Sequence, residues 1–355
     1  MSIRNQTLSR RIILFFFTFI SLWTASPAKA DIINTLGLDP SLNLLAFGNF
    51  NAYSSDVQGR VAVGGNATIQ SYSIDLLRKS NPAPGLTVGG NLNYQGGTIW
   101  GDTRVGGDIT TNYSGTFAGN VYVGGDLNAS QGLSVGAGKK AYVGGSATTP
   151  LWSNVPIVMD PTPFDIGFDF AAEAIRLSAL SQSLDQETNT GTVSDYYGTV
   201  KLDATGKELA IFDISAADAG KNLLLSGLSA TATVIINISG EIVNFGFHGY
   251  TNFEAAADRI LFNLPDATSI TLSSGIYGSL LAPLASVQHQ WGVISGQVVV
   301  GNWYSSVQVN DRPFDGDLPI PNTATPEPGT MVLVGLGAAG LAFIGRRACK
   351  IRQED

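Results

Sequence analysis

Five times in about eighty residues the chain writes a valine followed by two glycines, in the phrases VAVGGNA, LTVGGNL, TRVGGDI, VYVGGDL and AYVGGSA. The valines Val63, Val88, Val105, Val123 and Val143 are 25, 17, 18 and 20 residues apart. A period near eighteen is one turn of a small parallel β-solenoid, whose coils stack and bury a shared interior. Val61, Leu86, Thr103, Val121 and Ala141 stand two residues before each valine. The strand period of two puts them on the same face, which is predicted to point inward. After the glycines, Ala67, Leu92, Ile109, Leu127 and Ala147 return to apolar character, so the chain has turned a corner into another strand. The pairs Gly64-Gly65, Gly89-Gly90, Gly106-Gly107, Gly124-Gly125 and Gly144-Gly145 are read as that corner, supplying positive φ, with Asn66, Asn91, Asp108 and Asp126 as turn formers.

Past these coils, assigned to residues 31–150, TPLWSNVPIVMDPTP is a proline-bearing connector. Phe170, Ala174, Leu177, Ser181 and Leu184 then recur at helical spacing within residues 164–188. They predict an amphipathic helix of about sixteen residues, capped by Asp169, closed by Asn189 and Gly191, and lying along the flank of the stack. From Tyr196 to residue 318, runs such as LAIFDIS, ATVIINISG and GQVVVGNW read as further coils or a packed sheet, in one body with the first set. The expected fold is all-β dominated: a parallel β-solenoid with one amphipathic α-helix alongside, arranged as in ice-binding solenoids. Short hydrophobic helices are expected at both chain ends.

The first thirty residues hold Arg4, Arg10 and Arg11, an apolar run from Ile12 to Trp23, and Ala28-Lys29-Ala30. This is the order of a secretory signal peptide, cut after Ala30. About twelve apolar residues are short for an N-terminal anchor, which needs roughly 20. At the other end a linker, 319–329, carries Pro326-Glu327-Pro328 and leads into an apolar run from Met331 to Ile344, then Arg346, Arg347, Lys350 and Arg352. The basic cluster holds that end in the cytoplasm. These parts resemble a PEP-CTERM sorting tail. The resemblance implies a Gram-negative exporter, an exosortase-type protease as partner, transient inner-membrane insertion of residues 330–355, and release to the cell surface or the extracellular space. A permanent tail anchor is the other reading. A fourteen-residue helix covers only about 21 Å of a hydrocarbon core near 30 Å.

Without leader and tail, 12 basic side chains face 25 acidic ones, a net charge near −13. That balance argues against nucleic acid and anionic membrane surfaces as partners. Cys349 lies in the tail, so stability of the exported part rests on packing and hydrogen bonds without disulfides. VGGDLNAS lacks the G-G-x-G-x-D spacing of calcium-binding solenoids. No metal or cofactor is expected. His248 and His289 have no acid or third ligand at metal spacing, and Ser279 lacks a nucleophile elbow, so catalysis has no sequence signal.

The residues just before the repeat valines, Ala62, Thr87, Arg104, Tyr122 and Tyr142, point outward. With coils in register, Arg104, Tyr122 and Tyr142 form a ladder of about 4.8 Å per rung, a candidate surface for sugar rings or another protein. LLAFGNFNAYSSDVQGRVAVGGNA near the start, FNLPDAT and LLAPLASV later, and PFDGDLP at the close resemble the choice-of-anchor A family. That resemblance implies a secreted or surface protein with a collagen-binding-like domain, adhesive or structural, without enzyme activity. The competing class is a β-helical polysaccharide lyase or hydrolase; an ice-binding module would need regular T-x-T rows, which are absent. Mass spectrometry of the exported protein is expected to find an N-terminus at Asp31 and a C-terminus near Pro326–Pro328. An intact chain ending at Asp355 in the inner membrane would make the tail a plain anchor.

Overall fold

The computed structural model describes residues 32–319 apart from residues 35, 79–82, 112–114, 151, 154, 163, 248 and 290. The expected leader, the sorting motif and the two expected terminal hydrophobic helices fall outside these residues. The described chain is a three-faced parallel β-solenoid. On its first face the register runs unbroken through Phe212, Ile236, Phe262, Leu280, Val298, Leu44, Val61, Leu86, Thr103, Val121, Ala141 and Ile157. All but Ile157 are buried. The repeat valines form the next inward file, Val63 to Val143, also buried. A second face begins after each glycine corner, and its inward file runs from Val243 through Trp303, Phe50 and Leu92 to Ala147. A third face stacks Ile276, Ile294, Val309, Val57, Ile74, Ile99, Phe117 and Val135. Alternation does the rest: inward Val, Ile, Leu and Phe fill one core, each full burial contributing about 1.5–3 kcal/mol.

Stack order differs from chain order. The first coil, with strand Leu42–Ala46, lies in the middle, paired on one side with Arg60–Val63 and on the other with Val298–Ser305. From there the chain winds outward to Ile157–Met159, crosses to the opposite end, and winds back. At the seam Trp303 stacks on Phe50, with ring centroids 6.5 Å apart. Buried Asn43 donates to the Gly296 carbonyl at 2.9 Å and accepts from Gly59 N–H at 3.1 Å. Strand Ile32–Asn34 then pairs antiparallel with Asp317–Pro319, so both ends of the described chain leave together.

The glycine corner differs from its sequence expectation. None of the ten repeat glycines has a positive φ. They are glycines because coils approach too closely for a Cβ. One at Gly89, Gly106, Gly124 or Gly144 would overlap the carbonyl of the equivalent glycine one coil away. One at Gly90, Gly107, Gly125 or Gly145 would overlap the neighbouring coil's Asn or Asp side-chain oxygen. That oxygen is held there by a ladder: the N–H of Asn49, Asn66, Asn91, Asp108, Asp126 and Ser146 each donates to the side-chain oxygen of the preceding rung, starting from Asn302, at 2.7–3.0 Å. The repeat also continues farther than read: Ile157–Met159, within the expected connector, is another rung on the first face.

The helix α1, Phe170–Asp185, has the expected sixteen residues and lies inside 164–188 without filling that range. Asp169 caps it by accepting from Ala172 N–H at 2.9 Å, and it ends at Gln186 without reaching Asn189. Leu177, Leu180 and Leu184 pack outside the first face against Leu45, Val299, Leu281 and Leu261. A buried polar file grips the helix. Asn263 donates to Ser181 O at 2.9 Å and accepts from the Ser181 hydroxyl at 2.6 Å, while Asn237 donates to Leu184 O at 3.0 Å.

Gly124→Ala is expected to cost about 1–3 kcal/mol by overpacking against the Gly106 carbonyl, lowering the melting temperature by several degrees. An unchanged melt would show that the corner has slack. A second expectation concerns pH. Burial, then the charges of Asp266 and Asp213, raises the pKa of Asp185 in the last turn of the helix. A raised folded pKa penalises the charged native state above that pKa, and the penalty fades as pH falls towards the unfolded value near 3.8. Asp185→Asn is therefore expected to melt higher than the parent at pH 7, with the gap closing in acid; a constant gap across pH would refute the electrostatic cause.

Candidate functional site

The expected Arg104–Tyr122–Tyr142 ladder forms, in register on adjacent rungs. Tyr122 and Tyr142 stack at 4.9 Å and 6°, and the Arg104 guanidinium lies 5.5 Å from the Tyr122 ring centroid. The chain itself uses this surface. The connector before α1 lays Phe164 parallel to Tyr122 at 6.3 Å, and Arg104 reaches the Asp165 carbonyl at 3.5 Å. Ala62 and Thr87, in the same outward file, are buried. Burial is also the main reason the Tyr122 phenol pKa is raised, with the charges of Asp102 and Tyr142 adding to it. The ladder is thus an intramolecular track for the connector as well as a partly open strip.

The second face is different. Its outward file runs in register through Asn244, Thr271, Gln288, Tyr304, Asn51, Thr68, Asn93, Thr110, Asn128 and Thr148. Thr68, Asn93 and Thr271 are half-buried and the other seven exposed. Ten successive outward positions carry no charge, and six of them alternate Asn and Thr. At about 4.8 Å per rung the file spans roughly 43 Å. Asn93 accepts a long hydrogen bond from Gln95 at 3.4 Å; no other member of the file has a side-chain partner among the described residues. These amides and hydroxyls are therefore turned to solvent. Two structural features hold them in line: the apolar file directly behind, and the Asn/Asp corner ladder that fixes where each strand starts.

Sequence reasoning missed this file although its signal was regular. Its members in the repeat stand three residues after the second glycine, at positions 68, 93, 110, 128 and 148. Attention to the side preceding the valines and to T-x-T pairs passed over a single Asn/Thr column.

Other expected residues are placed as follows. Ser279 is buried, and its hydroxyl accepts from Gln297 N–H at 2.9 Å within the sheet. His248 and the side chain of His289 lie outside the described residues. Asp108 and Asp126 are rungs of the corner ladder. Among the described residues no group of three His, Cys, Asp or Glu could hold a metal ion, and no helix is long and apolar enough to cross a membrane. FNLPDAT lines the corner between strands Ile260–Asn263 and Ser269–Leu272, with Leu264 and Ala267 in the core. The wider sequence reading of a nearly all-β solenoid with one long helix alongside agrees with the structure.

Comparison with known families gives two matches. Residues 41–311 match the ice-binding-like adhesive domain family, and residues 324–347 match the PEP-CTERM protein-sorting motif. The first match covers most of the chain, which belongs to that adhesive family. The second marks it as an exported protein handled by an exosortase-type system. No curated protein and no solved structure matches the chain significantly.

Replacing the buried Asn263 with Ala is expected to leave the Ser181 groups unpaired and to cost about 1–3 kcal/mol, loosening the helix from the stack. Hydrogen exchange would check this: faster exchange confined to residues 177–186 supports the grip, and unchanged exchange there refutes it.

Proposed function

We propose that this member of the ice-binding-like adhesive family works at the cell surface or in the extracellular matrix as a structural or adhesive protein without catalysis, and that its second face holds an extended neutral polysaccharide. The observation that carries this reading is the ten-membered uncharged file from Asn244 to Thr148. A neutral glycan offers hydroxyls at regular intervals along an extended chain. A regular column of amides and hydroxyls can exchange hydrogen bonds with it without desolvating a charge. Tyr304, 39% exposed near the middle of the file, adds an aromatic surface for a sugar ring. The acidic body does not favour polyanions as ligands. The PEP-CTERM motif supports delivery to the surface through transient membrane insertion and exosortase cutting. The resemblance to choice-of-anchor A proteins supports the same adhesive role.

The test is retention of the purified exported protein on a panel of neutral and charged polysaccharides and matrix proteins, scored for cleavage as well. Retention on a neutral glycan without cleavage is expected. Thr110→Glu with Asn128→Glu should weaken it at least about tenfold, equal to 1.4 kcal/mol, with an unchanged melt. Equal retention by the variant would sink the assignment of the face, and cleavage of any glycan would restore the lyase or hydrolase reading. The Asn/Thr column also fits ordered water, so ice-growth inhibition that the same substitutions abolish, without glycan retention, would assign the face to ice.

A further inference from the structure

The two ends of the stack are finished differently. At one end the edge strand Leu209–Ser215 is capped by the chain: Thr190 and Gly191 N–H groups donate to the Ile211 carbonyl at 3.1 and 3.2 Å. The Thr190 hydroxyl donates to Leu209 O at 2.7 Å and accepts from Ile211 N–H at 2.9 Å. At the other end nothing among the described residues pairs with the outer edge of Ile157–Met159. Ala141 N–H donates to Pro156 O at 3.0 Å and Asp160 N–H to Val143 O at 2.9 Å. Strand alternation therefore turns the backbone groups of Ile157 and Met159 to the free edge. The core is also uncovered here. Val135, Val155 and Ile157 are only partly buried against it, and Trp152 and Met159 are 64% and 55% exposed. A cavity of about 480 Å³, lined in part by Val135, Lys140 and Val155, opens at the same end.

We propose that this open end is the contact surface for a second copy of the chain, the two meeting about a two-fold axis with their Ile157–Met159 strands antiparallel. An unpaired strand edge above an uncovered core is a template for another strand. The charges select the partner and its direction. Exposed Lys140 immediately precedes Ala141, the register partner of Ile157, and so stands one rung in, beside the start of the edge strand; exposed Asp160 follows its end. Antiparallel pairing sets start against end, bringing Asp160 of each copy within reach of the long Lys140 side chain of the other, about two strand spacings away, twice by symmetry. A head-to-tail stack would instead need the far end, which Thr190 and Gly191 already occupy. The exposed Trp152 and Met159 of one copy are apolar groups available to fill the cavity of the other.

Sedimentation of the purified exported protein across a concentration series tests this. A reversible dimer is expected. Met159→Lys, which plants a charge at a position already 55% exposed, should leave a folded monomer. Lys140→Glu should weaken the dimer at least tenfold, and adding Asp160→Lys should restore it, a rescue that misfolding could not produce. A monomer at every concentration overturns the proposal, including the case in which the end proves to be covered by the chain's own terminal segments or by a different protein. So does a dimer indifferent to these substitutions.

Discussion

The constraint on which everything else rests is the distance between coils at the glycine corner. Two backbones pass there with no room for a Cβ, and the side-chain oxygen of one coil's Asn or Asp is fixed by the next coil's N–H. A slip of one residue would break every link of this ladder and turn the inward files out. The corner therefore sets register for both faces it joins: the core depends on it, and so does the column of amides and hydroxyls on the second face. Its acids, Asp108 and Asp126, spend one oxygen on the structure rather than on chemistry.

Much of this was legible. Val63 to Val143, two steps of apolar alternation and the helical spacing of Leu177 and Leu184 each point to one arrangement, because burial enforces periods of two and 3.6. What escaped had physical reasons. Whether a glycine serves positive φ or close approach cannot be told from its neighbours in sequence; only the facing coil decides. The outward Arg104–Tyr122–Tyr142 ladder was correctly placed on a face, but its cover is Phe164, some forty residues on, and no local pattern announces that contact. The Asn263–Ser181 grip is likewise a pairing across 82 residues.

The helix has a consistent place in this scheme. The chain must cross from Ile157–Met159 at one end to Leu209–Ser215 at the other, and the connector with α1 makes that crossing along the outside of the first face. Covering that face with apolar and amide contacts leaves the second face as the long regular surface that no helix among the described residues occupies. One face thus serves to close the fold, and the outward file of the other stays clear of α1, which is the surface the proposed binding role would use.

The seam between first and last coils bears on how such a chain reaches its native state. Asn43 bonds to Gly296 across 253 residues, and the first coil in the chain is the one that sits in the middle of the stack. That coil finds Arg60–Val63 close by in sequence, but its other edge pairs with Val298–Ser305, near the far end of the described chain. Non-local closure of this kind slows folding and leaves a strand edge exposed meanwhile. A body built from its first coils onward therefore carries a half-built stack with one open strand edge until Val298–Ser305 arrives and the seam is made.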